Sequence, residues 1–198
     1  MPRLLCKCFN NNSLQQTKWK NTIGFPPPDG PESPSPQPST APQPCSRVRE
    51  EMNDPSIIDE ILRRTRTIAV VGMSDKTWRA SNRIGRYLVG NGFHLLPVNP
   101  ALSQVLGLPC YPDLDAAQAA ARASTGAGID LVDVFRSSEH VPAIVDDAIR
   151  LKIPYLWLQD GVIHEEAVAR ARAAGIQCVE DDCIYRRHAA RPDVHPRQ

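Results

Sequence analysis

From residue 67 onward, short apolar runs alternate with longer amphipathic stretches. That alternation narrows the choice of folds more than any other property of the chain. Thr67–Val71, Phe93–Val98, Ile129–Phe135, Pro154–Leu158 and Ile176–Val179 are apolar nearly throughout rather than at every second residue. Continuous apolar runs of this length read as strands buried on both faces. Between them, Ser81–Asn91, Asp113–Ala121, Ser138–Leu151 and Glu165–Ala174 read as helices. Gly92 and Gly175 stand where a helix end needs a left-handed residue, and Ser138, followed by Glu139 and Pro142, reads as an N-terminal cap. Strands alternating with helices predict an α/β fold: a five-stranded parallel sheet with helices on both faces.

The segment before this alternation has a different character. Ten of the 19 prolines fall within residues 1–50, nine of them between Pro26 and Pro44. Such a stretch favours extended, solvated backbone over a packed core, so residues 1–51 read as a disordered Pro-rich extension. At Met52-Asn53-Asp54-Pro55 a helix begins: Asp54 can cap it, Pro55 suits its first position, and Ile57, Ile58, Ile61 and Leu62 share one face. The methionine just ahead of this cap suggests translation starting at Met52. The domain is expected over 52–190, with 191–198 as a flexible tail.

Charge and cysteine content limit the partners. The 23 Lys+Arg and 22 Asp+Glu give a net charge of +1 with no basic stripe, which argues against nucleic acid. No apolar run is long enough for a membrane span. Cys6, Cys8, Cys45, Cys110, Cys178 and Cys183 follow neither a paired zinc pattern nor a small secreted framework. Reduced thiols, no metal and a cytoplasmic location are therefore expected.

In an open parallel sheet, ligands bind beyond the carboxyl ends of the strands. After the first strand, Gly72-Met73-Ser74 leads through Arg79 to a helix beginning near Ser81 or Asn82. Glycine allows close backbone approach, the helix start offers free N–H groups, and arginine can fork onto a phosphate. The second strand ends in Asn99-Pro100, where a nicotinamide-binding fold would place an acid for the ribose hydroxyls. The first loop also lacks GxGxxG, so a nucleotide other than NAD is expected. Phe135 and Arg136 leave the third strand. Gln159, a donor and an acceptor, and Gly161 follow the fourth. Trp157 reads as a core aromatic, and Asp130 and Asp133, three apart on a strand, do not form a carboxylate pair.

Taken in order, Val71-Gly72-Met73-Ser74 with Arg79, Arg86-Tyr87-Leu88, Val98-Asn99-Pro100, Val132–Arg136, Trp157–Gly161 and Asp182-Cys183 resemble the small stand-alone CoA-binding proteins. These are similar to the CoA-binding domain of the succinyl-CoA synthetase alpha subunit. The resemblance covers about Asp54 to His188. It implies a single Rossmann-like domain with coenzyme A, or an acyl-CoA, lying across the carboxyl edge. It also implies ligand contacts at Gly72, Met73, Ser74, Arg79, Asn99, Pro100, Phe135, Arg136, Gln159 and Gly161, to which the helix start adds Ser81 as an expected contact. The chain departs from the family at Ala80, where many members carry proline, and at Asp160, where a less charged residue is usual. A carboxylate there would repel phosphates if it points inward and matter little if it points outward.

No catalytic set emerges. His94 lies within a strand. His140 and His164 start helices on the ligand-facing edge, but no Ser or Cys pairs with a His and a carboxylate by spacing. Cys183 resembles the family's cysteine after the fifth strand, where a buried structural thiol is expected. The expected role is a non-catalytic CoA- or acyl-CoA-binding module, acting as carrier, sensor or subunit beside an acyl-CoA enzyme. The alternative is an enzyme acting on an acyl-CoA or related nucleotide, with His140 or His164 assisting proton transfer.

Overall fold

Helix α1 (Pro55–Arg64) begins where the sequence places it, because the Asp54 carboxylate accepts from the Ser56 N–H at 2.7 Å and Pro55 takes the first turn. The computed structural model describes residues 53–191, 193 and 194. The expected extension over 1–51 and the start at Met52 lie outside the described residues.

The chain continues through β1 (Thr67–Val71), α2 (Ala80–Gly90), β2 (His94–Val98), a hairpin of β3 (Gln104–Val105) and β4 (Leu108–Pro109), and α3 (Leu114–Thr125). It then forms β5 (Leu131–Val134), a single 3₁₀ turn at Ser138–His140, α4 (Val141–Leu151), β6 (Tyr155–Leu158), α5 (Glu165–Ala173), β7 (Gln177–Val179) and α6 (Ile184–Ala189). The main sheet has the order β2-β1-β5-β6-β7, and all its pairings are parallel. The α/β Rossmann-like class is thus the observed one.

Each face of the sheet has its own core, as buried parallel strands require. Ala69, Val98, Val132, Leu156 and Leu158 face α3, α4 and α5 through residues such as Ala117, Val145 and Val168. The alternate residues Ile68, Val70, Leu131, Trp157 and Val179 face α1, α2 and α6 through Ile58, Leu62, Leu88 and Ile184. Trp157 is fully buried, as expected, and its indole N–H donates to Asp182 O at 2.7 Å.

Several elements differ from the sequence reading. The hairpin β3–β4 and helix α6 carry too few residues to show a period, and Leu106 and Gly107 make the hairpin turn with positive φ. Tyr111 fastens the segment after this hairpin to the sheet by exchanging bonds with Pro97 O and Asn99 N, both at 2.8 Å. Ser138 does not cap a helix: its hydroxyl accepts from Ile163 N–H at 3.1 Å, and α4 starts only after the 3₁₀ turn. Where the pattern predicts a flexible tail from 191, the Arg191 guanidinium binds Asp59 and Val194 is buried in the second core. Gly92 and Gly175 do take left-handed backbone just past their helices, with φ of 86° and 87°.

Candidate functional site

The order of strands reverses between β1 and β5, and their two following loops meet there. Gly72 has φ of 86°, and a Cβ on it would lie 2.7 Å from Phe135 O and 2.9 Å from Arg136 Cδ. Glycine is therefore required by the protein's own neighbouring loop, before any ligand is considered. The Gly72 and Met73 N–H groups both donate to Val98 O, at 3.0 and 3.3 Å. Asn99 ties the second loop to the first: its Nδ2 donates to Met73 O at 2.7 Å while its Oδ1 accepts from Ala101 N–H at 2.9 Å. Asn82 Nδ2 holds the same loop from α2 by donating to Ser74 O at 2.8 Å.

Beyond the β5 and β6 ends lies a cavity of about 510 Å³ on the side of the sheet covered by α2 and α6. Helix α2 lines it with Arg83, Ile84 and Tyr87, the strand ends with Phe135, Gln159 and Asp160, and the α6 region with Cys183, Tyr185 and Arg186. A pocket of this size and mixed lining suits part of a nucleotide-sized ligand.

The charges around the cavity are arranged unequally. Asp160 is matched by Arg186 through two bonds of 2.6 and 2.7 Å, and those bonds hold its carboxyl below the usual range. The carboxylate thus lines the cavity without leaving a net negative charge there. Arg79 and Arg83 have no side-chain partner among the described residues. Helix α2 starts beside them with Arg79 in the capping position and no side-chain cap bond, so its first N–H groups are free to meet an anion. Arg136 is engaged with His140, Nη2 to Nε2 at 2.8 Å.

Of the expected ligand contacts, Phe135 and Gln159 line the cavity, and Arg79 adjoins it through Ala80. Met73 and Ser81 are buried, and the Met73 N–H and C=O are already engaged with Val98 O and Asn99 Nδ2, so Met73 shapes the loop from within. The Asn99 side chain is committed within the protein, while Pro100 is exposed at the end of its strand. Gly161 has φ of 77°, and its N–H donates to Asp181 Oδ1 at 2.8 Å. His164 caps α5 by accepting from Ala167 N–H at 3.2 Å. Cys183 is buried at the cavity wall. Sequence reasoning did not reach Arg83, Tyr87, Tyr185 and Arg186 as lining. The four-residue spacing of Arg83 from the capping Arg79, which puts it one turn further along α2, was the available signal.

One buried polar group lies behind the cavity wall. Asp133 sits on β5 opposite Val70 and Trp157, with 0% exposure. Its Oδ1 accepts from Gln159 Nε2 at 2.7 Å, and its Oδ2 has no hydrogen-bond partner among the described residues. Burial raises the carboxyl to about 7, an effect the Gln159 bond opposes.

Known proteins resemble this arrangement along most of the domain. The uncharacterized protein YneT of Bacillus subtilis (strain 168) is 34% identical over 132 residues, 67% of this chain and 92% of that protein. The structure of a hypothetical protein from Pyrococcus horikoshii OT3 superposes with a TM-score of 0.61 at 32% identity, covering 69% of this chain and 90% of that one. A Thermus thermophilus structure, cell-free ID.343, gives 0.60 at 27% identity, covering 69% of this chain and 98% of that one. Residues 66–189 match the CoA binding domain family, a span that includes the sheet, the cavity and the arginines beside it. The chain belongs to the CoA-binding domain family.

Proposed function

We propose that this domain binds coenzyme A or an acyl-CoA at the carboxyl edge of its sheet. In this reading it is a non-catalytic module, a cytoplasmic carrier, sensor or subunit serving an acyl-CoA enzyme. The observation that carries the reading is the pair of guanidinium groups, Arg79 and Arg83, that have no partner among the described residues and stand beside an uncapped helix start and the cavity. CoA presents a pyrophosphate and a ribose phosphate, so it needs cations and N–H donors more than a ribose-binding carboxylate. These donors fit the phosphates. The apolar and amide wall of Ile84, Phe135 and Gln159 fits the uncharged remainder. Calorimetry with CoA and NAD tests this. CoA is expected to bind more tightly, because Asn99 stands where a ribose-binding acid would be and is itself committed to Met73 O. Equal or tighter NAD binding overturns it.

A further inference from the structure

We propose that Asp133 is a positioning residue. It fixes which end of the Gln159 amide the cavity presents, so the wall selects a hydrogen-bond donor on its ligand. An ionised carboxylate can only accept, so Asp133 draws the amide nitrogen of Gln159 inward, where the pair meets at 2.7 Å. That bond uses one of the two Nε2 hydrogens, and Oε1 has no partner among the described residues, so Oε1 is the acceptor the amide can offer to the cavity that Gln159 lines. The cavity therefore presents an acceptor at this point. This rests on the CoA reading for the identity of the ligand. The donors CoA could bring are the amide N–H groups of its pantetheine arm or the exocyclic amine of its adenine.

The same geometry makes the arrangement dependent on one proton. Asp133 Oδ2 is buried without a partner among the described residues, so a proton placed there finds no acceptor among them. A proton on Oδ1 can be satisfied only if Gln159 turns over and offers Oε1 inward, which would direct its NH₂ to the cavity. Burial brings this carboxyl to about 7, where both forms are populated near neutral pH. Its strand neighbours at this register, Val70 and Trp157, carry no charge. The titratable and charged groups lining the cavity that Gln159 faces are Arg83 and Tyr87 of α2, Asp160 after β6, and Cys183, Tyr185 and Arg186 around the start of α6, with Asp182 held behind them by the Trp157 indole N–H on its carbonyl. Asp160 and Asp182 are both paired with arginine, at 2.6 Å to Arg186 and 2.5 Å to Arg187 respectively.

The experiment has a ligand-free arm and a ligand arm. In ¹⁵N-labelled protein, the Gln159 side-chain NH₂ signals are identified by their absence from Gln159→Met and followed from pH 5.5 to 8.5. They are expected to titrate with a midpoint near neutrality in the parent and to stay fixed in Asp133→Asn. Calorimetry of CoA over the same range is expected to show affinity rising several-fold with pH in the parent, relative to Asp133→Asn or Gln159→Met. Repeating it with pantetheine and with adenosine 3′,5′-bisphosphate shows which half carries the donor. Gln159 signals that do not titrate, or one shared pH profile for parent and both variants, overturn the inference. A parent that binds no CoA at any pH overturns the functional reading instead, while the ligand-free titration still decides the role of Asp133.

Discussion

Arg79 stands one residue before α2, and its side chain has no partner among the described residues, so its contribution to binding can be measured by subtraction. Arg79→Ala is expected to weaken CoA binding by roughly 1.5–3 kcal/mol, the range for a hydrogen bond to a charged group. Arg79→Lys should recover only part, because an ammonium cannot reproduce the planar fork. With dephospho-CoA the penalty should persist if Arg79 serves the pyrophosphate, as its place at the helix start favours, and vanish if it serves the 3′-phosphate. Calorimetry on the three proteins with both ligands checks this. Asp133 gives a stability prediction with a definite sign. Its folded value of about 7 lies above the ordinary 3.8. Between those values the folded protein holds a proton that the unfolded chain releases, so this group's contribution to stability falls as pH rises from about 4 to about 7 and is constant above. Urea unfolding of Asp133→Asn should therefore gain on the parent across that window, by up to a few kcal/mol. A difference independent of pH would show that the carboxyl is not proton-linked to folding.

At the scale of elements, the β1 and β5 loops are packed against each other so closely that one methyl group should separate them. Gly72→Ala meets Phe135 O at 2.7 Å and also needs φ of 86°, which L residues rarely adopt. The change should lower stability by more than about 1 kcal/mol, since both the backbone and the contact oppose it. It should weaken CoA binding as well, because Phe135 lines the cavity and would be displaced. Thermal unfolding together with calorimetry would check both effects; an unchanged midpoint would contradict the observed contact. The hinge-like junctions elsewhere are held by side chains instead. Asn99 and Asn82 each donate from Nδ2 to a carbonyl of the same loop, at 2.7 and 2.8 Å, while the Gly72 and Met73 N–H groups donate to Val98 O, so the loop is held from three sides.

For the molecule as a whole, both cores are made, among the described residues, from the stretch between Ile57 and Val194. A chain started at Met52 is therefore expected to unfold cooperatively and to bind CoA as the full chain does. One started at Ser56 should melt at a lower temperature. It loses the Asp54 cap of α1 and also Asn53, whose amide pairs with the Glu180 backbone through bonds of 2.9 and 3.2 Å. Equal melting of the two shortened chains would show that this pairing contributes nothing to holding α1 beside β7.

The alternation of apolar runs and amphipathic stretches was enough to specify the parallel sheet, its two covered faces and the positions of the loops that carry the site. Hydrophobic burial acts on every residue of a strand or helix face, so its period is written along the chain. Caps at Asp54, Gly92 and Gly175 were legible for a similar reason, since they depend on a few adjacent residues. The cavity wall was less so. Arg83 and Arg186 come from helices separated by most of the domain, and only the packing of α2 beside α6 brings them to one cavity. Asp160 could not be assigned an effect from sequence, because its partner Arg186 is 26 residues away. In the sequence Asp133 is one of two acids, with Asp130, that do not pair in an otherwise apolar run. Its meaning depends on the register that sets it against Trp157 and on the Gln159 amide above it, because the energy of a buried charge is decided by its surroundings in three dimensions.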